Sequence, residues 1–134
     1  MPHIFIEYSA NLSRRIDISG LARAVHQAAL NTEAFPEGGI RTRQIPRDEY
    51  LIADGHPDNA FVHLLLRIGF GRDLETRQRI ADDIFRTLCD FLAQDIAQSP
   101  LAISLELEEI VPETNLKKSN LHHYVKQRRE KRHE

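Results

Sequence analysis

Phe61 to Ile68 reads Phe-Val-His-Leu-Leu-Leu-Arg-Ile, and this near-continuous apolar run decides the architecture. A strand that alternates apolar and polar residues has one wet face, whereas a run of this kind asks for cover on both. Gly69 and Gly71 end it. Asp73 then stands where a helix cap belongs, ahead of an apolar stripe formed by Ile80, Ala81, Ile84, Leu88, Phe91 and Leu92 that closes before Pro100. From Leu101 to Ile110, Ile103, Leu105 and Leu107 alternate with Ser104, Glu106 and Glu108, a second strand. Upstream, the same order is written once before. His3 to Tyr8 is a strand with Ile4, Ile6 and Tyr8 on one face. Ile18, Leu21, Ala22, Val25, Ala28 and Ala29 recur at helical spacing behind Asp17 or Ser19 as cap, and the helix fades near Asn31. Pro36 and Gly38-Gly39 punctuate a loop, Ile40 to Tyr50 is extended, and Ala53 to Asn59 is a turn.

The chain is therefore strand-helix-strand written twice, with the second copy about 59 residues after the first. We expect an α+β fold, two βαβ units (about 2–50 and 60–112) forming a four-stranded sheet with both helices on one face. Two helices cover only one face, yet the run at 61–68 offers apolar side chains to both. Self-association supplies the missing cover. A ferredoxin-like monomer has the same element order, which leaves both arrangements open on order alone.

At 134 residues, 41% hydrophobic and 28% charged, the composition is that of one ordinary soluble domain, here 1–125. A chain this long buries enough surface to need no metal or disulfide staple, and its one cysteine, Cys89, suits a reducing cytosol. Nothing approaches the roughly 18 consecutive apolar residues of a membrane span, and no leader pattern opens the chain. The expectation is a cytoplasmic protein with no membrane partner. The net charge of -2 conceals an asymmetry: residues 117–134 hold seven Lys or Arg against two Glu, leaving the body near -7. An acidic body argues against a nucleic-acid groove. The basic stretch 126–134 is expected as a solvated, partly disordered tail.

Seven histidines invite a metal reading, but His3, His26, His56, His63, His122, His123 and His133 show no ligand spacing, and no metal site is expected. Gly69-Phe70-Gly71-Arg72 lacks the signature of a nucleotide loop. Cys89 lies on the apolar helix stripe, where burial raises a thiol pKa and makes it inert. Pro2 remains. If Met1 is removed, the chain begins with a secondary amine fused to a strand, and α-amino groups titrate at about 7.7–8.0, lower when buried or beside cations. Such a group serves as a general base near neutral pH. Arg41 and Arg43, two apart in an extended segment, project on one face, and Arg72 sits past the end of the third strand, where ligands collect in α/β architectures. Arginines around an N-terminal amine suit a polycarboxylate substrate, binding it and stabilising a developing enolate.

The start PHIFIEYS, FPEGGIRTR at 35–43, ADGHPDNAFVHLLLRIGFGRDLETRQ at 53–78 and LAISLELEEI at 101–110 closely resemble the 5-carboxymethyl-2-hydroxymuconate delta-isomerase family of the tautomerase superfamily. The resemblance spans about residues 2–125. It implies a homotrimer of subunits with two βαβ units each, and an N-terminal proline as catalytic base in a pocket at the subunit boundary. Pro2 falls where that proline stands. By the same resemblance Arg41, in the family's GIR segment, and Arg72, in its GxGR segment, bind or polarise substrate carboxylates; Arg43 is a weaker carry-over, and Phe35 lines the pocket. The reaction implied is a cofactor-free ketonisation of a small polycarboxylate dienol in homoprotocatechuate breakdown. Two other readings stay open: a different proline-first tautomerase activity on another 2-hydroxy-dienoate or enol acid, and a non-catalytic small α+β binding protein.

Overall fold

The computed structural model describes residues 1–132. Strand β1 (His3–Ser9) leads through a 3-10 turn at Ala10–Arg14 into helix α1 (Ile18–Asn31) and returns as β2 (Arg41–Arg47). Strand β3 (Ala60–Ile68) is followed by α2 (Leu74–Phe91), the short α3 (Ala93–Gln98) and β4 (Leu101–Glu109). The sheet order is β2-β1-β3-β4. Each outer strand runs parallel to its inner neighbour, and the two inner strands are antiparallel. This is the duplicated strand-helix-strand pattern expected from the sequence.

Local chemistry accounts for the helix starts. Asp17 and Asp73 have extended backbones, and their carboxylates accept from the Gly20 and Thr76 amides, satisfying donors that the first helical turn leaves unpaired. The long apolar stripe on the second helix is interrupted. Leu92 leaves helical geometry, which separates α2 from α3, and Phe91 rotates out to lie beside Gly20 of α1, 38% exposed.

Side-chain parity sorts the sheet into two unlike faces. Ile4, Ile6, Tyr8, Val62, Leu64 and Leu66 point to the helices and are buried with Leu21, Val25, Ile80, Ile84 and Leu88. Burying side chains of this size contributes about 1.5–3 kcal/mol each. The other face carries no helix. There Phe5, Ile45, Phe61 and Leu65 are half-buried among His3, Arg43, His63 and Arg67. The Arg43 guanidinium lies 4.3 Å from the Phe5 ring centre and Arg67 lies 5.7 Å from it. One edge of this face is basic, with Arg41, Arg43 and Arg47 on β2; the other is acidic, with Glu106 and Glu108 on β4.

The chain past β4 departs from expectation. After a 3-10 turn at Pro112–Thr114, residues Leu121–Arg132 form a helix, α4, rather than a disordered tail. It is solvated along nearly its whole length, with Val125 half-buried. It is held because Arg129 pairs with Glu37 and because His122 lies against Gly38. The last two positions of the expected tail, 133 and 134, lie outside the described residues.

Candidate active site

Topology gathers the site before any side chain is considered. Because β1 and β3 are antiparallel, the starts of β1 and β2 share one end of the sheet with the exits of β3 and β4; the register pairs His3 with both Arg41 and Arg67, and Arg67 with Glu108. Pro2, Arg41, Arg72 and the segment after β4 therefore emerge together.

Pro2 is buried, and its carbonyl accepts from the Arg41 amide at 3.1 Å, extending the β1–β2 ladder to the chain start. In this structure the amine belongs to Met1, and the Pro2 nitrogen is an amide. A Cβ at Gly39 would sit in ordinary contact with the terminus, 3.4 Å from Pro2 Cδ and 3.8 Å from Met1 Cα, so the turn runs directly beside the start of the chain. Arg41 Nη1 donates to the Gly39 carbonyl at 2.6 Å. Arg72 donates through Nη2 to the Ala34 carbonyl at 2.8 Å and through Nη1 to the Gly69 carbonyl at 3.2 Å. Its guanidinium lies 5.1 Å from the ring centre of buried Phe35. A guanidinium has five donors, so neither arginine is exhausted by these bonds.

Electrostatics tie these groups to the amine. Burial lowers the pKa of the N-terminal amine below its usual 8.0, and the cations Lys117, Arg41 and Arg72 lower it further. Arg43 is placed differently. Its Nη2 contacts His3 Nδ1 at 2.9 Å on the helix-free face, where burial, then Arg43 and Arg41, hold the imidazole below its ordinary pKa. The shared face expected for Arg41 and Arg43 is present, but Arg43 serves His3 and Phe5 rather than the terminus. Cys89 is half-buried, and burial followed by Asp90 pushes its thiol pKa up, as befits an unreactive group.

The pocket beside the terminus, about 440 Å³, is bounded by Met1, Pro36 and Gly39 on one side and by Lys117, Lys118, Ser119 and His122 on the other. Sequence reasoning did not include this second wall. Its only signal was that every lysine of the chain lies at 117 or beyond.

Comparison with known proteins adds a consistent set. Residues 2–125 match the family model described as 5-carboxymethyl-2-hydroxymuconate isomerase. The chain is 38% identical over 122 residues to an Escherichia coli protein named 5-carboxymethyl-2-hydroxymuconate Delta-isomerase, covering 91% of this chain and 97% of that one. A crystal structure of a 5-carboxymethyl-2-hydroxymuconate isomerase from Deinococcus radiodurans R1 superposes with a TM-score of 0.86 at 37% identity, over 92% of this chain and 93% of the other. A structure described as the symmetric trimer of a fused 4-OT shares the fold, with a TM-score of 0.57 at 15% identity over 88% of this chain and 92% of that one.

Proposed function

Since the chain belongs to the 5-carboxymethyl-2-hydroxymuconate isomerase family, we propose that it ketonises 5-carboxymethyl-2-hydroxymuconate to 5-oxopent-3-ene-1,2,5-tricarboxylate in homoprotocatechuate (4-hydroxyphenylacetate) breakdown, without a cofactor. The observation that carries this reading is the convergence of the N-terminus with Arg41 and Arg72 at one end of the sheet.

Removal of Met1 turns the Pro2 nitrogen into a secondary amine. That nitrogen takes the proton of the 2-hydroxyl, electron density passes along the dienol, and a proton returns to C5, so that atoms and charge balance with no metal or redox partner. In the unprocessed chain burial and the neighbouring cations lower the pKa of the Met1 amine, and the same surroundings favour a neutral, basic Pro2 amine once Met1 is removed. Arg41 and Arg72 retain donors for substrate carboxylates and for the oxyanion that develops at C2. Phe35 holds the Arg72 guanidinium in place through its ring face.

A homotrimer completes the proposal. The helix-free face, with Phe5, Phe61 and Leu65 half-buried, needs cover. The basic β2 edge and acidic β4 edge suit a head-to-tail contact between copies, of the kind that closes into a ring. The symmetric trimer described for the fused 4-OT supports the same arrangement through its fold.

The test is loss of dienol absorbance, measured with protein whose processed N-terminus has been verified by intact mass, beside Pro2→Ala. Fast turnover that collapses in the variant supports the mechanism. Absence of turnover by processed protein overturns the substrate assignment, and equal activity in Pro2→Ala overturns the base.

A further inference from the structure

The proposed substrate carries three carboxylates, while Arg41 and Arg72 supply two guanidinium groups. Further cations stand in the wall of the cavity beside the terminus, which Arg41 and Arg72 themselves do not line. Lys117 and Lys118 line the same cavity as Met1 and Gly39, and they reach it because the chain after β4 emerges at that end of the sheet. The chain beyond these lysines is fixed rather than loose. His122 packs so closely on Gly38 that a Cβ there would lie 2.7 Å from its Nδ1, and Arg129 of α4 pairs with Glu37 of the same turn. Arg129 accordingly holds the Glu37 carboxyl below its ordinary pKa. The Glu37–Gly39 turn is thus clasped by the terminus on one side and by α4 on the other.

We propose that this C-terminal arm is part of the active site, with Lys117 gripping the third carboxylate of the substrate and α4 acting as the clip that holds Lys117 over the pocket. The inference rests on the polycarboxylate reading and gives that reading a specificity determinant. Lys117 and Lys118 both line the cavity; Lys117, whose charge also bears on the Met1 amine, is assigned the carboxylate, and Lys118 is the comparison. A lysine suits this place, since its compact charge on a flexible stem can follow a carboxylate in a solvent-open pocket. Lys117 touches substrate in this scheme but moves no proton.

The experiment compares Lys117→Ala, Lys117→Arg and Lys118→Ala in the full-length processed protein on two substrates, the tricarboxylate dienol and the monocarboxylate phenylenolpyruvate. Loss of a charge-assisted contact predicts a KM for the tricarboxylate raised about ten- to hundredfold in Lys117→Ala. Measured at a pH above the acid limb of every variant, kcat should change less, Lys117→Arg should recover most of the loss, and KM for the monocarboxylate should change far less than KM for the tricarboxylate. An equal loss on both substrates, or none on either, overturns the inference. Calorimetric titration with propane-1,2,3-tricarboxylate separates the role of the arm from the substrate assignment. Turnover with binding untouched by Lys117→Ala rejects the role of the arm and keeps the isomerase. Binding weakened about tenfold or more by Lys117→Ala in a protein that does not turn over the dienol keeps the arm and rejects the substrate.

Discussion

Replacing Gly38 with alanine should release the C-terminal helix while leaving the sheet intact. The added Cβ would meet His122 Nδ1 at 2.7 Å and His122 Cα at 3.0 Å. Carbon atoms prefer a separation of about 3.5–4.0 Å, so a backbone must retreat by roughly half an ångström to one ångström. A rotamer change relieves the contact with Nδ1 but not the contact with Cα. The turn cannot yield easily, because Phe35, Gly38, Gly39 and Ile40 are all buried. Helix α4 can, because of its twelve residues only Val125 is even half-buried. Its solvent-exposed pair with Glu37 is weakened by screening and contributes little, and an isolated helix of twelve residues is marginal in water. Undocking therefore melts the arm. Hydrogen exchange should show Leu121–Arg132 losing protection in Gly38→Ala, with β1 and β3 unchanged, and the far-UV helical signal should fall by about a quarter. If Lys117 binds substrate, KM for the tricarboxylate rises as in Lys117→Ala. Protection retained across the arm refutes the close-packing argument; a collapse of global stability refutes the claim that the arm yields before the turn.

Three other perturbations probe the rest of the site. Arg72→Ala removes the donor proposed for the oxyanion and should lower kcat about 10²–10³-fold; it also strips the Ala34 and Gly69 carbonyls of their partners, so a urea titration should show a stability loss of about 1–3 kcal/mol. Unchanged kcat in a folded variant would exclude Arg72 from catalysis. Burial first and then cations depress the Met1 amine; if the Pro2 amine inherits these surroundings after processing, kcat/KM rises with pH through its pKa and levels off above it, and neutralising Lys117 removes a cation, raises that pKa and moves the acid limb to higher pH. A shift toward lower pH would contradict the electrostatic account. Leu65→Glu places a carboxylate in the helix-free face beside Phe5 and should give monomers in sedimentation velocity, whereas an undisturbed trimer would show that this face is not the interface.

Elements that bury an apolar stripe were legible from residues alone. Ile4, Ile6 and Tyr8 announced β1 by parity, the spacing from Ile18 to Ala29 announced α1, and Asp17 and Asp73 marked helix starts through the amides they cap. The grouping of Pro2, Arg41 and Arg72 was partly legible, because strand order brings a chain start and the end of β3 to one place. Arg43 shows the limit of parity: it gives the right face but cannot tell that His3 and Phe5 take up the guanidinium. Helix α4 was not legible. Its sequence, LHHYVKQRREKR, has no apolar stripe, and the contact that seats it depends on the missing side chain of Gly38, distant in sequence. Lys117 was missed for the same reason, since its place in the pocket is set by where β4 ends and where α4 docks.

The pairing of β1 against β3 gives the subunit a pseudo-dyad that exchanges its two βαβ halves. Two similar sheet ends result, and each begins with an inner strand beside a parallel outer one. Covalent connectivity makes them chemically unequal. The first inner strand starts at the head of the chain, whereas the second starts at Ala60, whose nitrogen is an ordinary amide following Asn59. Two separate half-length chains would bring two terminal amines to this sheet; joining them leaves one. A terminal amine acting as the proposed base would thus give one centre per polypeptide, while at the second sheet end Arg15 bonds Asp95 and the Asp58 and Pro100 carbonyls, tying that end together.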